Sequence, residues 1–410
     1  MRYLFIVQGE GRGHLTQALS LASILRRQGH EVVKVLVGRT LHHQIPEFFL
    51  REIGAPVDTF EAPQFSFKAG KTRVDLVQTV VANMAPRRVE AYVRSICFIR
   101  AQILKYRPDE VVNFYEMLSG LAVKCFRLPV DMVGIGHQYL MLHRGYRQAA
   151  RRGWSAWLLR QHVRMSAIGC RRLLALSFYP MADDDTRRIT IVPPLLRKEV
   201  LQNKACTREN FILGYIVNNA FAAQIRTWSR EHPDKELHVF WDNKEYPETW
   251  KAERNLTFHR VNDKLFLSLM RRCNGYVTTA GFESVCEALF YDKPMMLIPA
   301  HIEQQINAAD AASSDVAIVS DRFDLSRFVQ HRGGPRSQQN FLYRLWIGMT
   351  ATAFFDLLIH QRHRGRSTPN TGNQLAAVRR AAFQGSLRYT RSTRAQAYRR
   401  RAVSQRSATF

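Results

Sequence analysis

The sequence is poor in cysteine, in long uncharged apolar runs and in targeting signals. Its six cysteines in 410 residues stand singly, without a CxxC pair. That pattern disfavours a zinc site or a disulfide framework and is typical of a reduced, cytosolic protein. No apolar run of about 18 residues is free of charge, so we predict no transmembrane helix. The best candidate, Leu345–Phe355, is too short, and Leu4–Val7 is too short for a signal peptide.

Acidic residues are scarcest where arginine is densest. Lys and Arg number 60 against 34 Asp and Glu, a formal net charge of +26. Residues 331–410 hold 15 Arg, no Lys and one acid, and residues 132–182 hold eight Arg and no acid. This excess favours anionic partners, namely phosphorylated substrates, an anionic membrane surface or nucleic acid. A hydrophobic content of 46% argues against a wholly disordered or fibrous chain.

The two arginine-rich stretches have several interpretations. Residues 331–410 have the composition of a solvated, partly disordered basic tail. A segment that does not continue the authentic reading frame, or a true membrane- or nucleic-acid-binding extension, would look the same. Residues 132–182 interleave arginine with Trp154 and Trp157, which suits an interfacial segment on anionic lipid, with an ordinary Arg-rich helical region as the alternative. Nucleic acid is disfavoured as a partner, since no recognised motif accompanies the patch.

Apolar strand-like runs alternate with helical periodicity through the first 330 residues. Tyr3–Val7, a glycine-rich turn and a helix over Leu15–Arg27 give the order typical of a parallel sheet. The pattern continues to Ile189–Leu196, interpreted as an interdomain connection because of its two prolines, and resumes at Phe211–Val217. In such sheets ligands bind at the carboxyl ends of the strands. We predict an α/β protein with two Rossmann-like, doubly wound domains facing each other across a cleft, over 1–195 and 208–330, and a basic C-terminal extension over 331–410.

A glycine-rich turn joins the first strand to the first helix. Its glycines allow a tight turn and close approach of a ligand, and the helix N-terminus offers free N–H groups. The spacing is not GxGxxG and no GK[ST] follows, so a dinucleotide site or a P-loop is disfavoured. We predict that His14 points into the cleft, with a helix-capping histidine as the alternative. Gly11, Arg12 and Gly13 are predicted to form a loop that receives the acceptor or its phosphate.

A second polar cluster follows the predicted strand Gly275–Thr278. Glu283 and Glu287 lie one helical turn apart, so both can project near the cleft. A carboxylate there can accept hydrogen bonds from both ribose hydroxyls of a nucleotide, and Glu303 and Gln304 suit sugar hydroxyls. The alternative is an amphipathic surface helix with solvated acids.

The two strings GEGRGHLTQALSLA and TAGFESVCEALFYDKPMMLIPAHIEQQINAAD together resemble the GT-B nucleotide-sugar glycosyltransferases. The resemblance covers about residues 1–325. It is closest to the branch that contains the peptidoglycan lipid-intermediate N-acetylglucosaminyltransferase, with a family 28-like C-terminal domain. It implies a GT-B fold and a UDP-sugar as co-substrate, without a cofactor.

The resemblance also implies roles for individual residues. His14 matches the N-terminal-domain histidine that is the general base in related inverting plant-type enzymes. Donor-binding roles fall on Glu287 for the ribose, on Glu303, Gln304 and Asn307 for the donor sugar, and on Ala280 and Gly281 near the phosphates.

Further assignments rest on position alone. Asn218 and Asn219 follow a predicted strand and open a helix, whose N–H groups would neutralise a diphosphate without a metal. No DxD-type metal motif is evident, so no metal site is predicted. Glu116 is predicted to orient His14, or equally to be an acid favoured by a helix N-terminus. His137 and Gln138 end a predicted strand and are expected to face the acceptor.

The predicted reaction is an inverting, metal-independent transfer of a hexose or N-acetylhexosamine to a hydroxyl of a lipid-linked or cell-envelope glycan. The expected location is cytoplasmic, peripheral on the inner face of the membrane. Two alternatives stay open: a nucleotide-sugar 2-epimerase of the same fold, and a catalytically inactive GT-B protein that binds polyanions or membrane. GT-B proteins usually end in helices that return to the N-terminal domain. The composition after residue 331 departs from that pattern, which puts closure of the two domains in question.

Overall fold

The computed structural model describes residues 1–9, 11–39, 44–63, 83–146, 153–203, 206–216, 221–312, 317–326, 328 and 337–358. These residues form two α/β domains, each built around a seven-stranded sheet. The predicted GT-B arrangement is therefore confirmed.

The first sheet is entirely parallel. Its strands are β1 (Arg2–Gln8), β2 (Glu31–Arg39), β3 (Val57–Glu61), β4 (Glu110–Phe114), β5 (Asp131–Ile135), β6 (Arg172–Leu176) and β7 (Ile189–Val192). They are arranged in the order β3-β2-β1-β4-β5-β6-β7. Side chains of β1 alternate between two buried layers, with Phe5 in one core and Leu4 in the other. A continuous apolar run is what a parallel strand covered on both faces requires.

Helices cover both faces of this sheet. They are α1 (Gly13–Arg27), α2 (Glu47–Glu52), α3 (Pro86–Tyr106), α4 (Met117–Cys125) and α5 (Trp154–Ser166), with α6 (Lys198–Gln202) after the last strand. A 3₁₀ helix, His137–Leu142, follows β5, and a short one, Asp185–Arg187, precedes β7. Leu15, Ala18 and Leu25 of α1 pack into the same core as Phe5.

The second sheet is parallel except for one edge strand. Its strands are β8 (Phe211–Tyr215), β9 (Glu236–Trp241), β10 (Thr249–Glu253), β11 (Leu256–Arg260), β12 (Gly275–Thr278), β13 (Met295–Leu297) and β14 (Ala317–Val319). Their order is β10-β11-β9-β8-β12-β13-β14, with β10 antiparallel to β11. The helices described beside this sheet are α7 (Ala222–Glu231), α8 (Asp263–Arg272), α9 (Phe282–Phe290) and α10 (Ile302–Ala312).

Two further helices, α11 (Ser337–Gly348) and α12 (Thr350–Leu358), pack against both domains. The Tyr343 hydroxyl donates to the Cys286 carbonyl at 3.1 Å, on the second domain. The Trp346 indole donates to the Ser177 carbonyl at 2.9 Å, on the first domain. These residues were predicted to belong to a solvated tail. That prediction is wrong for the two helices, because Tyr343, Trp346 and Phe354 are buried in the fold. The rest of the predicted extension, 331–336 and 359–410, lies outside the described residues.

The predicted interdomain connection also needs correction. Ile189–Val192 is the edge strand β7, and all four of its residues are buried. The two prolines lie just after the strand, where the missing N–H of proline costs no ladder hydrogen bond.

One helical segment meets the length and composition of a membrane span. Asn340–Leu358 has 19 residues and a mean hydropathy of 1.2, and 39% of its most apolar window is buried within the fold. The uncharged part of this region, Leu345–Phe355, lies between Arg344 and Asp356 and was predicted to be too short for a membrane span. A core helix of a folded domain meets the same criteria, and the packing of Trp346 between the domains fits that case.

Candidate active site

The predicted site residues lie along an interdomain seam, where α1 and the segments after β4 and β5 meet the starts of α9 and α10. The Gln17 amide donates to Glu283 Oε1 at 2.5 Å, and the Gln138 amide donates to Glu303 Oε1 at 2.8 Å. Both hydrogen bonds join the two domains at the carboxyl ends of their strands, where α/β sheets bind ligands.

The glycine turn brings the N-terminus of α1 against the second domain. Gly9 donates its N–H to the Gly38 carbonyl at 2.7 Å, and a Cβ on Gly9 would lie 2.6 Å from that oxygen. Gly11 has φ +88°, a backbone conformation that favours glycine. A Cβ on Gly13 would lie 3.3 Å from Glu283 Cγ. Of these three glycines, Gly13 is therefore the one that meets the second domain.

His14 is buried at the start of α1, and its ring is oriented by Gln17. His14 Nδ1 lies 3.1 Å from Gln17 Oε1, while the Gln17 amide nitrogen donates to Glu283. Because the amide nitrogen faces the carboxylate, its oxygen faces the imidazole, so Nδ1 must carry the proton for this hydrogen bond to form. Nε2 is then the basic nitrogen of the neutral ring.

The surroundings of His14 favour the neutral ring. Burial lowers the pKa of His14, while the nearby Glu303 carboxylate and Gln17 act in the opposite direction. Tyr115 stacks on the imidazole with ring centroids 5.5 Å apart, and its own backbone has φ +62°. A histidine that is neutral and held in one tautomer is suited to accept a proton.

Glu116 does not orient His14, contrary to one of the two predictions for it. Its carboxylate caps α4, accepting hydrogen bonds from the N–H groups of Leu118 at 3.0 Å and Ser119 at 2.8 Å. Burial raises its pKa to about 7, and these N–H bonds oppose that rise. The second prediction, an acid at a helix N-terminus, describes its position.

His137 and Gln138 face the second domain from the segment after β5. The His137 ring stacks on Phe282 with centroids 4.0 Å apart, and its Nδ1 lies 2.8 Å from the Leu176 carbonyl, to which it donates. Burial lowers the pKa of His137 to about 4, so the ring is neutral at pH 7. Gln138 holds Glu303 as described above, so both residues line the seam.

Glu287, the predicted ribose ligand, is engaged by an arginine. Arg197 donates to its two carboxylate oxygens at 2.6 and 2.8 Å and also lies 3.4 Å from Asp263. Arg12 approaches the same Asp263 at 3.4 Å from the glycine turn. Arg197 therefore joins Glu287 of α9 to Asp263 of α8, and Arg12 adds a second cation at Asp263.

The remaining predicted donor residues are brought together around the turn before α9. Asn307 Nδ2 donates to the Ala280 carbonyl at 3.2 Å, and Ala280 has φ +66°. Gly281 is the N-cap of α9. Gln304 Oε1 accepts from the Ala300 N–H at 2.8 Å and so closes the turn before α10. The predicted phosphate residues Asn218 and Asn219 lie outside the described residues.

Buried acids are a property of this seam. Burial raises the pKa of Glu283 to about 8, and neighbouring Glu287 acts in the same direction. Burial likewise raises the pKa of Asp310, 4.0 Å from His137 Nε2, to about 7. Across the part of the chain that the structure describes, no three His, Cys, Asp or Glu side chains converge as metal ligands.

The residues that contact the predicted site residues were not predicted from the sequence. Gln17 carried a usable signal, since it lies three residues after His14 on a predicted helix and therefore on the same face. Tyr115, Arg197 and Asp263 carried none, because only the packing of two domains brings them to the seam.

Comparison with known proteins agrees with this fold. Residues 1–331 match the family described as glycosyl transferase family 1. No curated protein sequence matches the chain. The family match does not confirm the predicted lipid-intermediate branch, which stays a prediction.

Solved structures of glycosyltransferases superpose over most of the chain. The glycotransferase of kitacinnamycin gives a TM-score of 0.62 at 16% identity, covering 88% of this chain and 98% of that one. Arabidopsis thaliana UGT89C1 complexed with UDP gives 0.59 at 16% identity, covering 88% and 99%. CalG4, the calicheamicin glycosyltransferase, gives 0.56 at 16% identity, covering 90% and 100%. These likenesses show the GT-B fold, and with the family match they establish that the chain belongs to glycosyl transferase family 1 and is a glycosyltransferase.

Proposed function

We propose that this glycosyltransferase transfers a hexose or N-acetylhexosamine from a UDP-sugar to a hydroxyl acceptor, with inversion and without a metal. The observation that carries the proposal is the position of His14 at the seam. Its Nδ1 proton is engaged by Gln17, which leaves Nε2 as the basic nitrogen.

In the proposed reaction, His14 Nε2 accepts the proton of the acceptor hydroxyl. The acceptor oxygen forms a bond to the anomeric carbon from the face opposite the diphosphate. The bond from that carbon to the diphosphate oxygen breaks, and UDP leaves with the electron pair. Attack from the opposite face inverts the anomeric configuration.

The donor is proposed to lie along the second domain. The N–H groups at the start of α9, after Ala280 and Gly281, face the diphosphate and stabilise the charge that develops as UDP leaves. Glu303 and Gln304 contact the donor sugar, and Asn218 and Asn219 remain candidates for the phosphates. Among the relatives of this fold, UGT89C1 was solved with UDP and with UDP-L-rhamnose, which supports a uridine nucleotide.

Glu287 is proposed to bind the ribose while it keeps its ion pair. A carboxylate has about four lone-pair sites, and Arg197 uses two of them. The remaining two suffice for two ribose hydroxyls.

The acceptor is proposed to be lipid-linked or part of a cell-envelope glycan, as the lipid-intermediate branch would require. The protein would then act in the cytoplasm, peripheral on the inner face of the membrane. The arginine-rich stretch 132–182 supports this part of the proposal, because arginine interleaved with tryptophan suits an anionic lipid surface.

Calorimetric titration with UDP, ADP, GDP and dTDP tests the donor assignment. We expect UDP to bind most tightly, and Glu287→Gln to weaken UDP binding at least tenfold. Glu231→Gln is the matched control, since Glu231 is an exposed acid at the end of α7. Equal binding of UDP by all three proteins would contradict the ribose assignment.

Product analysis separates the alternatives. Conversion of a UDP-sugar to its 2-epimer without an acceptor would identify an epimerase. UDP binding without release of UDP from any UDP-sugar would identify an inactive protein of the same fold.

A further inference from the structure

A cavity of about 620 Å³ opens on the first domain, away from the seam. It lies beside Arg172 and Ile189, the first residues of β6 and β7. The seam is at the carboxyl ends of the strands, so the cavity lies at the amino-terminal ends of strands of the same sheet. Its walls carry six arginines, which we name the arginine pocket: Arg144, Arg160, Arg164, Arg172, Arg187 and Arg188.

The arginine pocket has very little negative charge to balance it. Arg144 lies 3.4 Å from Asp184, and within the described residues this is the one carboxylate in ion-pair contact with the six. The others use neutral acceptors where they have any: Arg172 donates to the Thr190 hydroxyl at 2.6 Å, and Arg164 to the Gln161 amide oxygen at 3.2 Å. Six cations around one cavity with one acid constitute a site for an anion.

One donor in the pocket is buried and unused. Arg160 Nε is shielded from solvent and has no hydrogen-bond partner among the described atoms. A buried donor without an acceptor is costly, so the Arg160 guanidinium gains from a side-chain movement that brings this N–H to a ligand oxygen. Guanidinium groups present paired N–H donors whose spacing matches the oxygens of a phosphate. The chemistry of the pocket therefore selects a phosphate-bearing ligand.

The helix that carries Arg160 and Arg164 also exposes apolar side chains. Trp154 is 64% exposed and Trp157 48% exposed, and their rings stack with centroids 4.8 Å apart. Met165, on the same helix, is 41% exposed. Tryptophan beside arginine is the composition of a surface that sits at the boundary between lipid headgroups and acyl chains.

We propose that the arginine pocket binds the phosphate of an anionic membrane lipid, and that Trp154 and Trp157 enter the lipid interface beside it. The opposite charges of pocket and headgroup, together with the exposed tryptophan pair on the same helix, specify this occupant. The site is separate from the seam, so it does not depend on the proposed sugar transfer; it rests on, and deepens, the membrane location proposed above for the stretch 132–182.

The test is cosedimentation of the full chain with vesicles of phosphatidylcholine alone and of phosphatidylcholine with phosphatidylglycerol in equal parts. We expect binding to the mixed vesicles only. The Arg160→Ala/Arg164→Ala protein should bind about 25-fold more weakly, because each basic residue near an anionic surface contributes about fivefold. The control Arg27→Ala/Arg254→Ala removes the same charge from exposed positions elsewhere and should bind as the parent does.

A second pair of measurements identifies the source of the phosphate. Trp154→Ser/Trp157→Ser should weaken vesicle binding while leaving the binding of inorganic pyrophosphate, measured by calorimetry, unchanged. Thermal midpoints within a few degrees of the parent verify that each variant is folded. An equal loss of vesicle binding in the control arginine variant would contradict the assignment of the lipid site to the arginine pocket. A second outcome would also contradict the proposal: the pocket variant loses pyrophosphate binding, while the pocket variant and the tryptophan variant both bind vesicles as the parent does. The arginine pocket would then be a site for a soluble phosphate compound and not for a lipid.

Discussion

Glu283 makes the stability of the fold depend on pH in a way that a single substitution should remove. Its carboxyl is buried at the seam, and burial raises its pKa from 4.5 to about 8. Between these values the folded chain holds a proton that the unfolded chain has lost. The contribution of Glu283 to the free energy of unfolding is therefore fully present at low pH and decreases as pH rises towards 8.

The size of the effect follows from the slope of this linkage. One proton bound more tightly by the folded state changes the free energy of unfolding by about 1.4 kcal/mol per pH unit. Between pH 5.5 and 7.5 the upper bound is about 2.7 kcal/mol, and we expect about 2 kcal/mol because ionisation near pH 7.5 is already partial. Glu116 and Asp310 also have raised pKa values of about 7 and act in the same direction. They are present in both proteins and cancel from the comparison.

The measurement is urea unfolding followed by tryptophan fluorescence at pH 5.5 and 7.5. The parent protein should lose about 2 kcal/mol more over this interval than Glu283→Gln does. The control is Glu231→Gln, at an exposed position, which should keep the pH dependence of the parent. An identical pH dependence in Glu283→Gln and the parent would refute the reasoning, because it would mean that Glu283 ionises as easily in the folded chain as in the unfolded one.

Three further substitutions test contacts that stabilise the fold, two within a domain and one between the domains. Glu116→Ala should lower the free energy of unfolding by about 1–2 kcal/mol through loss of a helix cap and leave UDP affinity unchanged; a tenfold loss of UDP affinity would return Glu116 to the active site. Trp346→Ala should cost about 3–5 kcal/mol in urea unfolding, as for other buried aromatics, whereas no change would mean that α11 does not join the domains. Lys293 is itself buried and donates to three backbone carbonyls at 2.8–2.9 Å, so Lys293→Met should cost about 3 kcal/mol, and a neutral result would show that those carbonyls find other donors.

The sheets were predictable because their strands are short apolar runs separated by clear turns. The strand Gly275–Thr278 was predicted with the bounds that the structure gives it. The strand Ile189–Val192 was missed because the prolines that follow it dominate the local pattern. Helices α11 and α12 were missed because the arginine content of residues 331–410 concealed their apolar residues, several of which are buried in the fold.

Residues that lie at the candidate site could be predicted from the sequence, but the contacts that they make could not. His14, Glu283 and Glu303 all lie at the seam. His14 was predicted from its place after the glycine turn, Glu283 from its helical spacing, and Glu303 from its polar character and the family resemblance. Their partners depend on how two domains pack, which no local pattern encodes. Glu116 illustrates the difference, since an acid after a strand has the same sequence environment whether it caps its own helix or reaches a histidine.

The proposal that His14 is the general base is tested most directly by the rate of UDP release from UDP-glucose and UDP-N-acetylglucosamine, supplied with a lipid extract as a source of acceptors. His14→Ala should slow this release by about 100- to 10,000-fold, the usual contribution of a general base. Its affinity for UDP should stay within about twofold of the parent, because the proposed UDP contacts lie on the second domain. UDP release at the parent's rate in His14→Ala would contradict the account.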